Sequence, residues 1–296
     1  HSSRYLQATW ELEERRLQDF GRSLSPTAFT TWSHAKGLDP VVLAAWDRAL
    51  GERVDQGTLL SVCQSDTPVA NVFCWKTPAV QPLFLINTNR VEVRVPGRMA
   101  ARSVAVHPTP TQGVGVAWRS PIRGKIRFKA QIQDAHDGGN GVEWTLEKSR
   151  GIDVATLHGG AIARGGKAVC GDEAPPIDVR VGDRVRLIIT AKENDHICDL
   201  TQVDWEIEEL AEPRRSWRLA SDLVDNPGQG NPHADRHGNP AVWQFLHMAR
   251  RRTTQRPVFR ALEPWFAAVA TLTPARVVAA ADSIQARLLN SAPEDE

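Results

Sequence analysis

Two short segments of the sequence concentrate side chains that could bind a cation or a sugar. Segment 134–141 reads Asp-Ala-His-Asp-Gly-Gly-Asn-Gly, and segment 194–199 reads Asn-Asp-His-Ile-Cys-Asp. Calcium takes about six to eight oxygens from carboxylates, amides and backbone carbonyls. The segments therefore predict a calcium site whose oxygens come from Asp137, Asn140, Asp195 and Asp199. The spacing is not that of an EF-hand, and an Asx-rich turn that bonds its own backbone is the alternative.

The histidines of the same segments, His136 and His196, are predicted to orient these oxygens or to contact a ligand together with Asn140. His233 and His237 stand four residues apart, a spacing that suits a transition metal when it falls on a helix. The Asn, Pro and Gly residues around them argue against a helix. Structural hydrogen bonding between loops is therefore the better interpretation of that pair.

The tryptophans divide by their position in the sequence pattern. Trp118, Trp144 and Trp205 lie on the apolar side of alternating segments, which predicts that they are core residues. Sugar rings pack on exposed indole faces, and three tryptophans of irregular or boundary segments are the candidates for that role. These are Trp75, Trp217 and Trp243. Packing between domains is the alternative for them.

A row of basic side chains follows the polar side of two predicted strands. Its members are Lys125, Arg127, Lys129, Arg184 and Arg186. If the strands are neighbours, the row forms a basic patch that could bind a sulfated or uronic polysaccharide by bidentate contacts. A solvated strand face is the alternative.

The sequence carries no familiar catalytic motif. We find no G-x-S-x-G, no H-E-x-x-H and no P-loop, so we expect a protein that is not an enzyme. No C-x-x-C or C-x-x-C-H occurs, so the chain has no recognisable zinc pattern and no haem attachment site. The four cysteines allow Cys63–Cys74, which closes the shortest loop, and Cys170–Cys198, while four free thiols are the alternative.

Composition narrows the possible partners. The chain has 36 Lys and Arg against 35 Asp and Glu, so it is not a wholly basic nucleic-acid binder. No apolar run approaches the ~20 residues that span a bilayer, so we expect no membrane span. The length of 296 residues predicts about two domains.

The elements that must position these residues are a β-rich middle and helical ends. Residues 4–51 have a helical pattern, in which Ser25-Pro26 and Asp39-Pro40 are predicted N-caps followed by proline. Apolar and polar residues alternate in many short runs between about 70 and 210. Residues 241–290 return to a helical pattern, with one apolar stripe at 262–269. The residues predicted to lie inside the β region are Ile126, Phe128, Ile132, Trp144, Leu187, Ile189 and Trp205.

These patterns predict a mainly β fold (α+β), an antiparallel β-sandwich or jelly roll with flanking helices. We divide the chain into an N-terminal helical segment at 1–66, a sandwich at 67–218 that forms a binding module, and an irregular segment with C-terminal helices at 219–296. The loops 134–141 and 194–199 are predicted to meet at one end of the sandwich and to form its functional corner.

Several stretches together resemble a known family. They lie at 106–110, 116–121, 136–144, 194–204 and 231–239. In this order they are similar to a segment of the large extracytoplasmic planctomycete proteins that carry cytochrome c domains, and the central part resembles carbohydrate-binding jelly-roll modules. The resemblance covers roughly 35–245 and implies an extracytoplasmic protein whose partners include neighbouring domains of the same parent chain. The oxidising compartment that it implies would preserve a Cys170–Cys198 disulfide.

The function that we predict is non-catalytic binding of a polysaccharide, with an acidic or sulfated chain as one candidate ligand and Ca2+ as the candidate cofactor. A structural or protein-interaction spacer is the alternative. A polysaccharide-active enzyme is the third interpretation.

Overall fold

A computed structural model describes residues 2–18, 24–51, 57–63, 69–78, 81–150, 153–172 and 174–249, with short helical pieces between 275 and 286. The chain forms two compact units, one of residues 1–55 and 251–296 and the other of residues 56–250. Among the residues so described, we find no helix with the length and apolar character needed to cross a bilayer.

The first unit is helical, as the sequence predicts, and contains α1 (Ser2–Gln18), α2 (Pro26–Ala35) and α3 (Pro40–Gly51). The predicted N-caps are confirmed. Ser25 Oγ accepts the N–H of Ala28 at 3.3 Å, and Asp39 Oδ1 accepts two N–H groups of the first turn of α3. The core of this unit contains Leu6, Leu12, Leu43, Trp46 and Ala281.

The described residues of the second unit form strands, one short α-helix and two 3-10 turns. In chain order the elements are β1 (Thr58–Leu59), β2 (Ser61–Val62), β3 (Val72–Lys76), β4 (Leu83–Asn87), β5 (Val93–Arg94), β6 (Arg98–Met99), β7 (Ser103–His107), β8 (Gln112–Arg119), β9 (Gly124–Asp134), β10 (Val142–Arg150), β11 (Asp153–Ile162), β12 (Lys167–Cys170), β13 (Ile177–Val179), β14 (Arg184–Ala191), β15 (Thr201–Glu209), β16 (Ser216–Arg218), α4 (Leu219–Val224) and β17 (Trp243–Ala249).

Two antiparallel sheets pack face to face in this unit. One has the strand order β1-β17-β8-β14-β10-β11, and the other has the order β12-β9-β15-β7-β4-β3-β2, with β13 also paired to β9 and β16 to β15. The chain crosses repeatedly between these two sheets, for example between β8 and β9, between β9 and β10, and between β14 and β15. The fold is therefore an antiparallel β-sandwich with flanking helices, as predicted.

The core between the sheets confirms the alternation seen in the sequence. All seven residues predicted to be inside belong to one buried cluster drawn from both sheets. Along β9 the intervening side chains of Lys125, Arg127 and Lys129 are exposed. Side chains alternate between the two faces of a strand, so a register shift of one residue would have placed the apolar set in water.

The sandwich extends beyond its predicted limits of 67–218. The strands β1 and β2 lie within the predicted helical segment, and β17 lies within the predicted C-terminal helical region. β17 is an inner strand, between β1 and β8, and its residues 243–246 are buried on both faces. Apolar and polar residues do not alternate along such a strand, so its sequence pattern cannot be distinguished from that of a buried helix. The predicted stripe at 262–269 falls outside the described residues.

Candidate functional site

The predicted meeting of the two polar loops is confirmed. The N–H of Ala135 donates to the carbonyl of Leu200 at 2.8 Å, and Asn140 Nδ2 donates to the carbonyl of Lys192 at 3.2 Å. The loops meet because one follows β9 and the other precedes β15, its neighbour in the sheet. We call the loops 134–141 and 192–200, together with His107 at the end of β7, the corner.

The loops interlock at Gly139. Its φ of +87° belongs to the left-handed region, and a Cβ there would stand 2.7 Å from the carbonyl oxygen of Ile197 and 3.5 Å from Asp199 Oδ1. Only glycine has both the conformation and the room for this approach. On the facing loop, Cys198 also has a positive φ, of +67°. The backbone thus brings the second loop, with Asp199, directly against the first.

Asp199 is the most unusual group in the corner. Its side chain is only 1% exposed, and neither carboxylate oxygen has a hydrogen-bond donor among the described residues. Burial, together with the smaller effect of the negative charges of Asp195 and Asp134, raises the pKa of this carboxyl to about 7. The interior of the corner therefore has a negative electrostatic potential. Among the described residues, no donor bonds to the Asp199 carboxylate there.

Asn140 adds a second buried oxygen. Its Nδ2 is fixed by the carbonyl of Lys192, which leaves Oδ1 buried and without a partner among the residues described. The amide cannot be turned over, because Oδ1 would then face a carbonyl oxygen. Asn140 therefore presents an acceptor to the interior of the corner.

Three imidazoles belong to the corner. The rings of His107 and His196 lie edge to face with centroids 6.0 Å apart. Burial lowers the pKa of His107; its hydrogen bond to the carbonyl of Pro108 raises it, and the imidazoles of His196 and His136 lower it. His136 Nδ1 accepts the N–H of Gly138 at 2.9 Å. Sequence analysis missed His107 as a site residue, and its only signal is an imidazole at the end of an apolar strand.

Of the four predicted calcium ligands, two have buried oxygens inside the corner and two are exposed at its surface. Asp199 and Asn140 contribute inward-facing oxygens, but Asp137 is exposed and forms a surface ion pair with Arg98 at 3.3 Å. Asp195 is exposed, and its Oδ1 accepts the N–H of Ile197, the Asx turn that was the alternative. Across the described ranges, no group of three or more His, Cys, Asp or Glu side chains is arranged to hold a metal ion.

The prediction of sugar-stacking tryptophans is wrong. Trp75, Trp217 and Trp243 are buried in the core of the sandwich. Trp217 Nε1 donates to Asp235 Oδ2 at 2.6 Å, and Trp243 Nε1 donates to Asp222 Oδ2 at 2.8 Å. The three indoles lie on β3, β16 and β17, which gave no clear strand pattern in the sequence.

His233 and His237 form structural hydrogen bonds, the interpretation that the sequence favoured for this pair. His233 is buried, and its ring nitrogens lie 2.6 Å and 2.7 Å from the carbonyl oxygens of Ala234 and Asn226. His237 Nε2 lies 2.8 Å from the carbonyl oxygen of Ser216. The His233 ring thus joins two parts of the irregular stretch, and the His237 ring joins that stretch to β16.

The predicted basic patch is also wrong. On β9, Lys129 and Arg127 stand directly opposite Glu206 and Glu208 of β15, so acidic residues adjoin the row, and Lys129 forms an ion pair with Asp172 at 2.7 Å. Arg184 and Arg186 lie on β14 in the other sheet and are buried, and Arg186 pairs with Glu147 at 2.9 Å. Lys125 and Arg127 are thus exposed but do not belong to a continuous basic surface.

The disulfide joins Cys63 and Cys74, and Cys170 and Cys198 are free thiols. The predicted Cys170–Cys198 bond is therefore wrong. Cys170 lies on β12, paired with Ala130 of β9, whereas Cys198 precedes β15 on the other side of β9. Two strand spacings are about 10 Å, which exceeds the ~7 Å between Cα atoms that a disulfide spans.

Comparison with known proteins adds little to this description. No family model matches the chain, and no curated protein matches it. Among solved structures, the CBM51-2 and INT domains of Clostridium perfringens ZmpB are similar at 9% identity, with a TM-score of 0.28. The match covers 80% of this chain and 55% of that one, so the chain spans about half of that structure. A likeness of this size indicates neither the ligand nor the activity of this chain.

Proposed function

We propose that residues 56–250 form a non-catalytic carbohydrate-binding module and that the corner binds a polysaccharide. The observation that carries the proposal is the convergence of two polar loops at one end of a rigid sandwich. Loops held in this way are the usual carriers of binding residues. His136, His196 and Asp195 lie at least partly exposed at the corner. Sugar hydroxyls both donate and accept hydrogen bonds, so they complement imidazole and carboxylate groups.

We infer that the bound polysaccharide is neutral. The basic residues of β9, which would attract an acidic or sulfated chain, stand opposite glutamates of β15, and Lys129 pairs with Asp172. The acidic groups of the corner, Asp134, Asp137, Asp195 and Asp199, would repel anionic sugars. The tryptophans predicted to stack on sugars are buried. Recognition then depends on hydrogen bonds.

We also propose that the protein functions outside the cytoplasm. The Cys63–Cys74 disulfide supports this location, because disulfides persist in oxidising compartments and are rare where glutathione keeps thiols reduced.

A glycan array, followed by calorimetry with the polysaccharide that it identifies, tests the binding function. We expect His196→Ala and Asp195→Asn each to weaken binding about tenfold, which corresponds to the loss of one hydrogen bond of about 1.4 kcal/mol. The matched control is Glu212→Ala. Glu212 is exposed and follows β15 at its far end from the corner. Its removal is expected to leave affinity unchanged.

The proposal fails if no neutral polysaccharide binds, a result that would favour the spacer interpretation. It also fails if Glu212→Ala weakens binding as much as the corner variants do. Release of shorter sugars from the bound polysaccharide would instead make the protein an enzyme. Melting temperatures of all variants establish that each is folded.

A further inference from the structure

Every buried acidic side chain described in the sandwich accepts a hydrogen bond from a side-chain donor, except that of Asp199. Asp183 accepts hydrogen bonds from Arg150, Asp222 accepts from Arg236 and Trp243, and Asp235 accepts from Trp217. Glu147 and Glu209 are bonded to arginines. Asp199 is as deeply buried as these groups, yet both of its oxygens lack a donor from the described chain. A buried carboxylate without a partner is costly, so such a group calls for an explanation.

The surroundings of Asp199 favour a cation as the missing partner. The charges that act on it are those of Asp195 and Asp134, both negative. Asn140 Oδ1 is a second buried acceptor without a donor among the residues described. The carbonyl oxygen of Ile197 and Asp199 Oδ1 both approach the point at which a Cβ of Gly139 would stand, at 2.7 Å and 3.5 Å. Two oxygens of the second loop thus approach the same glycine, and Asn140 follows that glycine directly in the chain.

We propose that the interior of the corner binds a calcium ion through the Asp199 carboxylate, Asn140 Oδ1 and the carbonyl oxygen of Ile197. These are three kinds of oxygen that calcium accepts, and calcium tolerates irregular coordination that water completes. Magnesium demands a near-octahedral shell and gives up its water reluctantly, so it suits such loops less well. The site differs from the one that the sequence predicts, because Asp137 is paired with Arg98 and Asp195 closes an Asx turn.

The ion would join the two loops. Asn140 belongs to the loop after β9, and Ile197 and Asp199 belong to the loop before β15. A ligand that binds only the folded state stabilises it by mass action. Calcium would therefore stabilise the meeting of the loops, whatever the corner binds at its surface. The proposal does not depend on the carbohydrate-binding function.

Calorimetric titration of the EDTA-treated full chain with CaCl2, in the absence of any glycan, tests the site. We expect one calcium ion per chain and a melting temperature that rises with calcium concentration, with a smaller rise for MgCl2. Asp199→Asn keeps the shape of the side chain and removes the charge, so we expect it to weaken calcium binding by at least about tenfold. The control is Asp137→Asn, which removes an exposed carboxylate of the same loop and is expected to bind calcium as the wild type does.

Two outcomes would overturn the calcium site. The first is that the wild-type chain takes up no calcium, a result that does not depend on whether any variant folds. The second is that Asp199→Asn retains the full calcium response; if Asp137→Asn loses that response at the same time, the ion lies elsewhere in the loop. Each of these outcomes is measured without glycan and does not change the result of the glycan array. Failure of the calcium site can therefore be distinguished from failure of the proposed function.

Discussion

Two neighbouring tryptophans show how differently one side chain can be used in the same core. The rings of Trp205 and Trp243 lie with centroids 5.9 Å apart, and both are fully buried. Trp243 Nε1 donates to Asp222, whereas Trp205 Nε1 has no acceptor among the described residues. The pair therefore separates the contribution of an indole ring from that of its N–H group.

We expect Trp243→Phe to lower the free energy of unfolding by about 1–3 kcal/mol more than Trp205→Phe does. Both changes remove similar ring volume, but only the first leaves the buried Asp222 carboxylate without one of its donors. Urea denaturation of the two variants and the wild type measures the difference. Equal losses, or a larger loss for Trp205→Phe, would show that the hydrogen bond to Asp222 contributes no net stability.

The tryptophans also show what sequence patterns can predict at the residue scale. Trp144 and Trp205 lie in alternating runs, and their burial is confirmed. Trp217 and Trp243 are equally buried, but their N–H partners are Asp235 and Asp222. Nothing in a single sequence links an indole to a carboxylate some twenty residues away in an irregular stretch, so these two were predicted to be exposed binding residues. In the same way, the sequence identified Asp199 as an oxygen ligand but could not reveal its burial.

At the scale of elements, the turn between β15 and β16 is closed by an ion pair. Glu209, at the end of β15, accepts hydrogen bonds from Arg215 Nε at 2.8 Å and Arg215 Nη2 at 3.1 Å. These bonds hold the pKa of Glu209 below its usual value, against the smaller opposing effect of burial. The Glu209 side chain is 6% exposed and that of Arg215 is 33% exposed, so solvent screens the pair only in part.

The lowered pKa of Glu209 gives the stability of this turn a definite pH dependence. A carboxyl whose pKa is lower in the folded state stabilises the fold above its unfolded pKa, and this stabilisation is lost as the pH falls through the folded pKa. We expect Glu209→Gln to cost about 1 kcal/mol at pH 7. The difference from the wild type should shrink steadily as the pH is lowered below the ordinary glutamate range.

Urea denaturation at a series of pH values measures this effect, and Glu212→Gln is the matched control. Glu212 lies in the same turn and pairs with Arg214 at 3.3 Å, but both side chains are largely exposed. Exposed pairs contribute little, so this control is expected to differ little from the wild type at any pH. A Glu209→Gln cost that does not depend on pH would contradict the role of the charge.

Alternation predicted some strands of the sandwich and missed others for a physical reason. β9 and β15 have one face in the core and one in water, so their sequences alternate and their inward residues were identified. β17 is buried on both faces and does not alternate. The basic row failed as a binding surface for a related reason. Alternation assigns Lys129 to a face, but only the pairing of β9 with β15 shows that Glu206 stands opposite it.

At the scale of the whole molecule, one covalent link ties the edge of the sandwich. Cys63 follows β2, the last strand of its sheet, and is bonded to Cys74 on β3. The N–H of Cys63 also donates to the carbonyl of Cys74 at 2.9 Å. The bond therefore reinforces a pairing that only two residues of β2 provide.

We expect reduction of this disulfide, or the double change Cys63→Ser and Cys74→Ser, to lower the free energy of unfolding by about 2–3 kcal/mol, as for a short closed loop. Cys198→Ser should respond to reductant as the wild type does, because Cys198 is free. Alkylation of the unfolded, unreduced chain followed by peptide mass mapping should label Cys170 and Cys198 alone. A disulfide-bridged peptide that contains Cys170 and Cys198 would contradict the structure.

The pairing of β1 with β17 has a consequence for how this chain can be assembled and rearranged. Thr58 lies opposite His247, so the polypeptide enters and leaves the sandwich on adjacent strands, about 5 Å apart. The residues before 56 and after 250 are assigned together to the other unit. In topological terms the sandwich is inserted between the two sequence segments of a unit whose described elements are helices. A gene could gain or lose it in one step, and a graft into a surface loop of another protein would need only a pair of short, side-by-side connections.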